Sequence, residues 1–268
     1  MFNAPPIVCH HDFSKCDLSV DTLPSNVTFV KPHIRTRWAD FSLVEATLLG
    51  LQLISKNADV PDWTVLLSGS DYPIKTATQI LAELTSSPYD AYIHHEEIKY
   101  KAYQRDWQKN CFDRYCTTVL SLPFLDKKIR PITLKKRLRH PLFTTPFLPF
   151  SKTLRCFAGS QWFCVNSRAV EYIIDFHSNK TALAQHYRRL MCADESYFQT
   201  ILANAPHLKL QNDNLRYTHW LEGDFHPKTL SMADLPDIMA SSAHFGRKFD
   251  IDIDSQILDE LDHLVVQH

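Results

Sequence analysis

Apolar residues in this chain fall into short continuous runs that alternate with longer stretches of helical spacing. Ile7 to His10, after two prolines, and Val27 to Val30 read as strands. From Phe41 to Lys56 the positions Leu43, Val44, Ala46, Thr47, Leu48, Leu51 and Ile54 recur at helical spacing, with Asp40 or Ser42 as the start signal. Trp63 to Leu67 is an unbroken apolar run of strand length, the pattern of a buried parallel strand. Ser68 to Pro73 reads as a turn, Thr76 to Leu84 as a helix and Ala91 to Ile93 as a strand. Helices follow at Ser167 to Phe176, Thr181 to Leu190, Asp194 to Leu202 and Ser255 to Val265. Alternating strands and helices predict an α/β fold with a mainly parallel sheet flanked by helices.

One stretch breaks the pattern. From about Glu96 to Leu154 the chain is rich in Pro, Lys and Arg, and its periodicity is poor. It reads as an irregular basic insertion between a first half, about 6–95, and a second, about 155–268, of a single domain spanning 1–268. Between 127 and 139 lie Lys127, Lys128, Arg130, Lys135, Lys136, Arg137 and Arg139 with no acid among them. That run is either a solvated surface or a patch for peripheral contact with anionic lipid headgroups or an anionic acceptor.

Composition narrows the function classes. The 268 residues are 44% hydrophobic, enough for a substantial core. A net charge of −1 gives no pull toward nucleic acid. With only 5 glycines, neither G-x-G-x-x-G nor a P-loop spelling occurs. No run of about 18 apolar residues encodes a membrane span, and the first residues have no signal-peptide pattern. The 7 cysteines are scattered, with no C-x-x-C pair, so neither a zinc site nor a disulfide framework is implied. A cytoplasmic protein able to sit peripherally on a membrane surface is the simplest expectation.

The densest chemistry lies in Cys192-Ala193-Asp194-Glu195-Ser196-Tyr197-Phe198-Gln199-Thr200. Asp194 is placed to cap a helix and Glu195 to sit in its first turn, where the helix dipole favours the ionised form. Such a carboxylate can act as a general base, or can simply decorate the turn. Four further blocks accompany it in order: Asp62 to Lys75 (DWTVLLSGSDYPIK), Ala158 to Phe163 (AGSQWF), Asn214 to Trp220 (NLRYTHW) and His244 to Asp250 (HFGRKFD).

Together these five blocks resemble the core-2/I-branching N-acetylglucosaminyltransferases and the peptide O-xylosyltransferases, over about His10 to Asp262. The resemblance implies a GT-A fold and an inverting, metal-independent transfer of N-acetylglucosamine or xylose from a UDP-sugar to an acceptor hydroxyl. It implies Glu195 as the catalytic base, and Arg247 with Lys248 as the cations that stabilise the leaving diphosphate. Lys228 is a further candidate for the diphosphate and Asp12 for the uridine. Asp71 faces the donor sugar by resemblance, and Asp194, Trp162, Arg216, Tyr217 and Trp220 border the donor and acceptor sites. Each has a plainer alternative: a turn for Asp71, a surface charge for Lys228, core packing for Trp162 and Trp220.

The spelling Asp250-Ile251-Asp252-Ile253-Asp254 reads as a turn into the last helix, and no metal or cofactor is expected. Members of the family begin with an extra strand and helix before the His-x-Asp block. Here that block starts at residue 10, so the first βα unit is expected to be missing. Two other readings remain: a catalytically inactive glycan- or nucleotide-binding protein of the same fold, and a metal-dependent hydrolase, which the ligand spacing disfavours. Release of UDP from a UDP-sugar separates the first of these from the enzyme.

Overall fold

A computed structural model of the chain describes residues 5–56, 59–122, 134–139, 149–221, 223–224 and 226–266. Strand β1 (Ile7–Cys9) pairs in parallel with β2 (Val27–Phe29). Helix α1 (Ser42–Ser55) follows. Asp40 supplies its start signal, its Oδ1 accepting the Ser42 N–H at 2.9 Å, while the Ser42 hydroxyl accepts from Arg37 N–H. Val44, Leu48 and Leu51, one helical turn apart, form the buried face.

The chain continues through β3 (Trp63–Val65), β4 (Asp71–Pro73), α2 (Ala77–Thr85), β5 (Ala91–Ile93) and β6 (Glu96–Glu97). A capping box closes the start of α2: Thr76 Oγ1 accepts the Gln79 N–H and Gln79 Oε1 accepts the Thr76 N–H. Next come α3 (Asp106–Tyr115), β7 (Thr117–Leu122), β8 (Leu134–Arg139), β9 (Phe157–Ala158) and β10 (Phe163–Asn166). The second half holds α4 (Ser167–Asn179), α5 (Thr181–Tyr187), α6 (Tyr197–Ala203), β11 (Leu210–Gln211), β12 (Arg216–Thr218), α7 (Leu235–Ala240), β13 (Phe245–Arg247) and α8 (Gln256–Val266). The α/β architecture is that of a GT-A-like fold.

The central sheet runs β11-β5-β10-β3. β11 is parallel to β5, while β10 is antiparallel to both β5 and β3. Three strands therefore share one direction and β10 opposes them. Its opening residue, Phe163, lies beside Ile93 at the end of β5, and Cys164 lies beside Val65 at the end of β3. The loop that precedes β10 thus opens at the carboxyl edge of the other strands, where ligands of open α/β sheets gather. A second sheet, β12-β13-β4, joins the two halves again, with Arg247 opposite Asp71. The main core fills the space between the central sheet and α1, α4 and α6, around Val44, Ile93, Phe163, Ile173, Tyr197 and Ile201.

Four expectations need correction. Trp63 begins an edge strand antiparallel to β10, because the second half supplies its neighbour. Asp71–Pro73, composed like a turn, is strand β4, held by β13. Asp194 does not cap an α-helix: Ala193–Glu195 is a 3-10 turn and α6 starts at Tyr197. The stretch 96–154 is not wholly irregular, since α3 lies within it and buries Cys111, Phe112 and Tyr115. Of the basic run, 127–133 lies outside the described residues, and 134–139 forms β8, which pairs with β7. Among the described residues no helix is long and apolar enough to cross a membrane.

Candidate active site

Glu195 stands on the 3-10 turn between α5 and α6, and backbone contacts pin that turn on three sides. Cys192, at its start, has a left-handed φ of 53°. Cys192 donates its N–H to Ala39 C=O (2.7 Å) and its own carbonyl accepts the Tyr115 hydroxyl (2.6 Å). The Glu195 carbonyl accepts the Gly159 N–H at 2.8 Å. The Glu195 side chain is 46% exposed, and its Oε2 lies 3.4 Å from Arg114 Nη1. Burial on the protein side and the adjacent Asp194 push its carboxyl up to about 7, with Arg114 opposing them. Asp194 is itself buried, which raises its carboxyl, and its Oδ1 has no hydrogen-bond partner.

The loop before β10 carries this turn across to a second group of charges. Gly159 is required there, because a Cβ would lie 1.9 Å from His94 C=O. Gln199 Nε2 donates to Ser160 C=O (2.6 Å) and the Ser196 hydroxyl donates to Phe157 C=O (2.6 Å), so α6 grips both ends of Phe157–Ser160. Trp162 then lies beneath the Arg247 guanidinium, whose Cζ is 4.2 Å from the ring centre.

Arg247 Nη1 also donates to Asp71 Oδ2 (3.1 Å) and to the Ser68 hydroxyl (3.0 Å). Arg216 approaches the other side of Asp71, with Nε 3.3 Å from Oδ1, and donates from Nη2 to Leu66 C=O at 2.5 Å. The side chains of Asp71 and Arg216 are wholly buried, and Arg216 Nε and Nη1 have no hydrogen-bond partner. One carboxylate between two guanidiniums leaves an excess of positive charge. Lys248 adds to it: its ammonium has no carboxylate partner among the described residues, and burial followed by repulsion from Arg247 pulls its pKa down. A desolvated cation beside another cation is suited to receive an anion.

The remaining candidates sit differently. Both carboxylate oxygens of Asp12 are engaged, one by Ser14 and one by the Thr36 N–H, and these bonds hold its pKa low. Lys228 Nζ bonds both oxygens of the buried Asp234 at 2.8 Å, beside His219. Tyr217 lies on β12 opposite Gly246, and Trp220 beyond that strand is 55% exposed. Asp254 Oδ1 accepts the Gln256 N–H at the start of α8, and Asp250 Oδ1 accepts the Asp252 N–H. Among the described residues no group of three His, Cys, Asp or Glu is placed to hold a metal. The structure thus joins Glu195, Asp194 and Trp162 through one loop, and Asp71, Arg216, Arg247 and Lys248 through the second sheet. Sequence reasoning missed Arg114 and Tyr115, and took Ser68 and Gly159 only as members of the family blocks. The spacing of Trp107, Cys111 and Tyr115, every fourth residue, was the available signal for the helix that carries the first two.

The sequence pattern of the core-2/I-branching enzymes matches residues 11–240. This chain belongs to the core-2/I-branching enzyme family. The match takes in the Glu195 turn, α3 and Asp71, and it stops short of Arg247 and Lys248. Among relatives of this core-2/I-branching chain, the beta-glucuronosyltransferase GlcAT14A of Arabidopsis thaliana is 28% identical over 230 residues, covering 82% of this chain and 46% of its own length. Xylosyltransferase 1 of Homo sapiens is 27% identical over 274 residues, covering 92% of this chain and 25% of its own. The beta-glucuronosyltransferase GlcAT14C of the same plant is 26% identical over 225 residues, or 82% of this chain and 54% of its own. The chain therefore spans about half the length, or less, of these relatives. They are glycosyltransferases of two sugar types, xylosyl and glucuronosyl.

Proposed function

We propose that this protein is an inverting, metal-independent glycosyltransferase that moves a sugar from a UDP-sugar to an acceptor hydroxyl. The observation that carries this reading is the Glu195 carboxylate: half-exposed, pushed up to about 7, and fixed on a turn whose partner loop leads directly to an electropositive cluster. A base with a pKa near the working pH is both sufficiently ionised and sufficiently strong. Glu195 takes the proton of the acceptor hydroxyl as its oxygen bonds to the anomeric carbon. The bond to the β-phosphate breaks on the opposite face, its electron pair leaves with UDP, and Lys248 neutralises the charge that grows there. Arg247, already shared with Asp71, fixes the geometry of that cluster and adds positive field.

The relatives widen the donor beyond N-acetylglucosamine and xylose to include glucuronic acid. Release of UDP should be measured for UDP-xylose, UDP-glucuronate and UDP-N-acetylglucosamine, each with chelator and with manganese restored. Glu195→Gln keeps the shape and removes the base, so transfer should fall at least about 10²-fold with UDP affinity nearly unchanged. Near-normal transfer by that variant removes Glu195 from the mechanism. Activity lost to chelator and recovered with manganese overturns metal independence.

A further inference from the structure

Arg114 belongs to none of the sequence blocks that point to the site, yet it is the charged group that the fold presents to Glu195. It lies in the last turn of α3, which is fixed from several directions. Tyr115 donates its hydroxyl to Cys192 C=O, His186 Nε2 is bonded to Tyr115 C=O at 2.7 Å, and the Thr117 hydroxyl donates to Asp113 C=O at 2.6 Å. Arg114 Nη1 reaches both the Tyr115 hydroxyl (3.3 Å) and Glu195 Oε2 (3.4 Å), and its guanidinium rests 5.6 Å from the centre of the Tyr115 ring. The same two residues of α3 therefore hold the backbone of the Glu195 turn and the end of the Glu195 side chain.

We propose that Arg114 is the positioning residue of the catalytic base, holding the Glu195 carboxylate aimed toward the acceptor. The proposal rests on the reading of Glu195 as that base. A half-exposed glutamate on a surface turn has several rotamers open to it, and an ion pair to a fixed helix end selects among them. The groups that bear on Glu195 can be named element by element. Its own turn contributes Asp194 and Cys192, α3 contributes Arg114, Tyr115 and Cys111, and β9 and its following loop contribute the Gly159 N–H. Asp194 opposes ionisation, and burial keeps Tyr115, Cys111 and Cys192 protonated near neutrality. Among the described residues Arg114 is thus the cation that bears on Glu195, and it offsets desolvation and Asp194. This accounts for a helix at this point in a stretch that otherwise reads as an insertion: it delivers a charge to the site.

The test follows the Glu195 carboxyl carbon by ¹³C NMR through a pH titration of the full chain without ligand, in wild type, Arg114→Gln and Arg114→Lys. Arg114→Gln should move the Glu195 midpoint upward by about one pH unit, the low end for a partly screened opposite charge, and Arg114→Lys should stay near wild type. The rising limb of the pH profile of UDP release should move in the same direction, with kcat reduced and KM for the donor unchanged. Where Arg114→Gln unfolds, Arg114→Met keeps the packing over Tyr115 and carries the same expectation. An unmoved Glu195 midpoint in a folded neutral variant overturns the proposal. So does a loss of activity equal at every pH and shared by Arg114→Lys, which is the signature of a purely structural arginine. Absence of UDP release in wild type with every donor sinks the glycosyltransferase reading instead, while the NMR titration still decides the role of Arg114.

Discussion

At the scale of single residues, burial shifts both Glu195 and Lys248 toward their neutral forms. For Glu195 the sign of the stability effect is fixed by its raised pKa. Between about 4.5, the unfolded value, and about 7 the folded state holds a proton that the unfolded state has released. Stability from this group therefore falls as pH rises through that window. Glu195→Gln removes the dependence, so its melting temperature relative to wild type should rise from pH 5 to pH 8. A difference that stays constant, or that narrows, contradicts the burial described for this carboxylate. Lys248 has no side-chain ion pair to lose among the described residues, so Lys248→Ala should spare the fold. It should weaken UDP by roughly 1.5–3 kcal/mol, the worth of a charge-assisted contact, and uridine far less. Equal losses for both ligands by calorimetry show that the residue acts through folding.

At the scale of elements, the approach of β9 to β6 is the tightest joint of the site. Gly159→Ala places a methyl against His94 C=O, which is backbone and cannot swing aside. The variant should lose about 1–3 kcal/mol, the usual cost of overpacking, and should perturb the Glu195 carboxyl signal as well, because Gly159 N–H bonds the Glu195 carbonyl. Thr76→Ala is the contrast: it removes the cap of α2, costs about 1 kcal/mol, and should leave that signal in place. A Glu195 signal that moves as much in Thr76→Ala as in Gly159→Ala would remove the special status of the joint. Such contrasts also explain what was legible in the sequence. Helices α1, α2 and α4 carry both a periodic face and a side-chain start signal at Asp40, Thr76 or Asn166, and their positions follow from local spacing. Glu195 and the Arg247-Lys248 pair were singled out in the sequence through the family blocks. Strand β4 was hidden because its pairing partner, β13, lies far along the chain, and α3 because the charged residues around it dilute its pattern. The antiparallel course of β10 leaves no local mark at all, since its apolar run suits either direction. The partners of Asp71 were equally invisible: Arg216 and Arg247 meet it only once the second sheet has formed.

At the scale of the whole molecule, both sheets are shared between the halves that flank residues 123–148. β10 and β11 complete the sheet begun by β3 and β5, and β12 and β13 complete the one begun by β4. Among the described residues β1 and β2 pair within the first half, but neither half holds the whole of these two larger sheets, and each leaves long-range apolar faces without a partner. Fragments 1–122 and 149–268 should therefore be insoluble when expressed separately and should co-purify as one folded species when expressed together. Independent folding of either fragment contradicts a single domain.

The insertion of β10 between β5 and β3 also sets an order of events during synthesis. The two older strands must wait apart, with a gap between them, until Phe163–Asn166 has left the ribosome. Throughout that interval their facing edges carry unpaired backbone groups that any other extended chain can occupy. Such late, non-local closure is slow, so the yield of folded protein should depend on what shields that gap in the nascent chain.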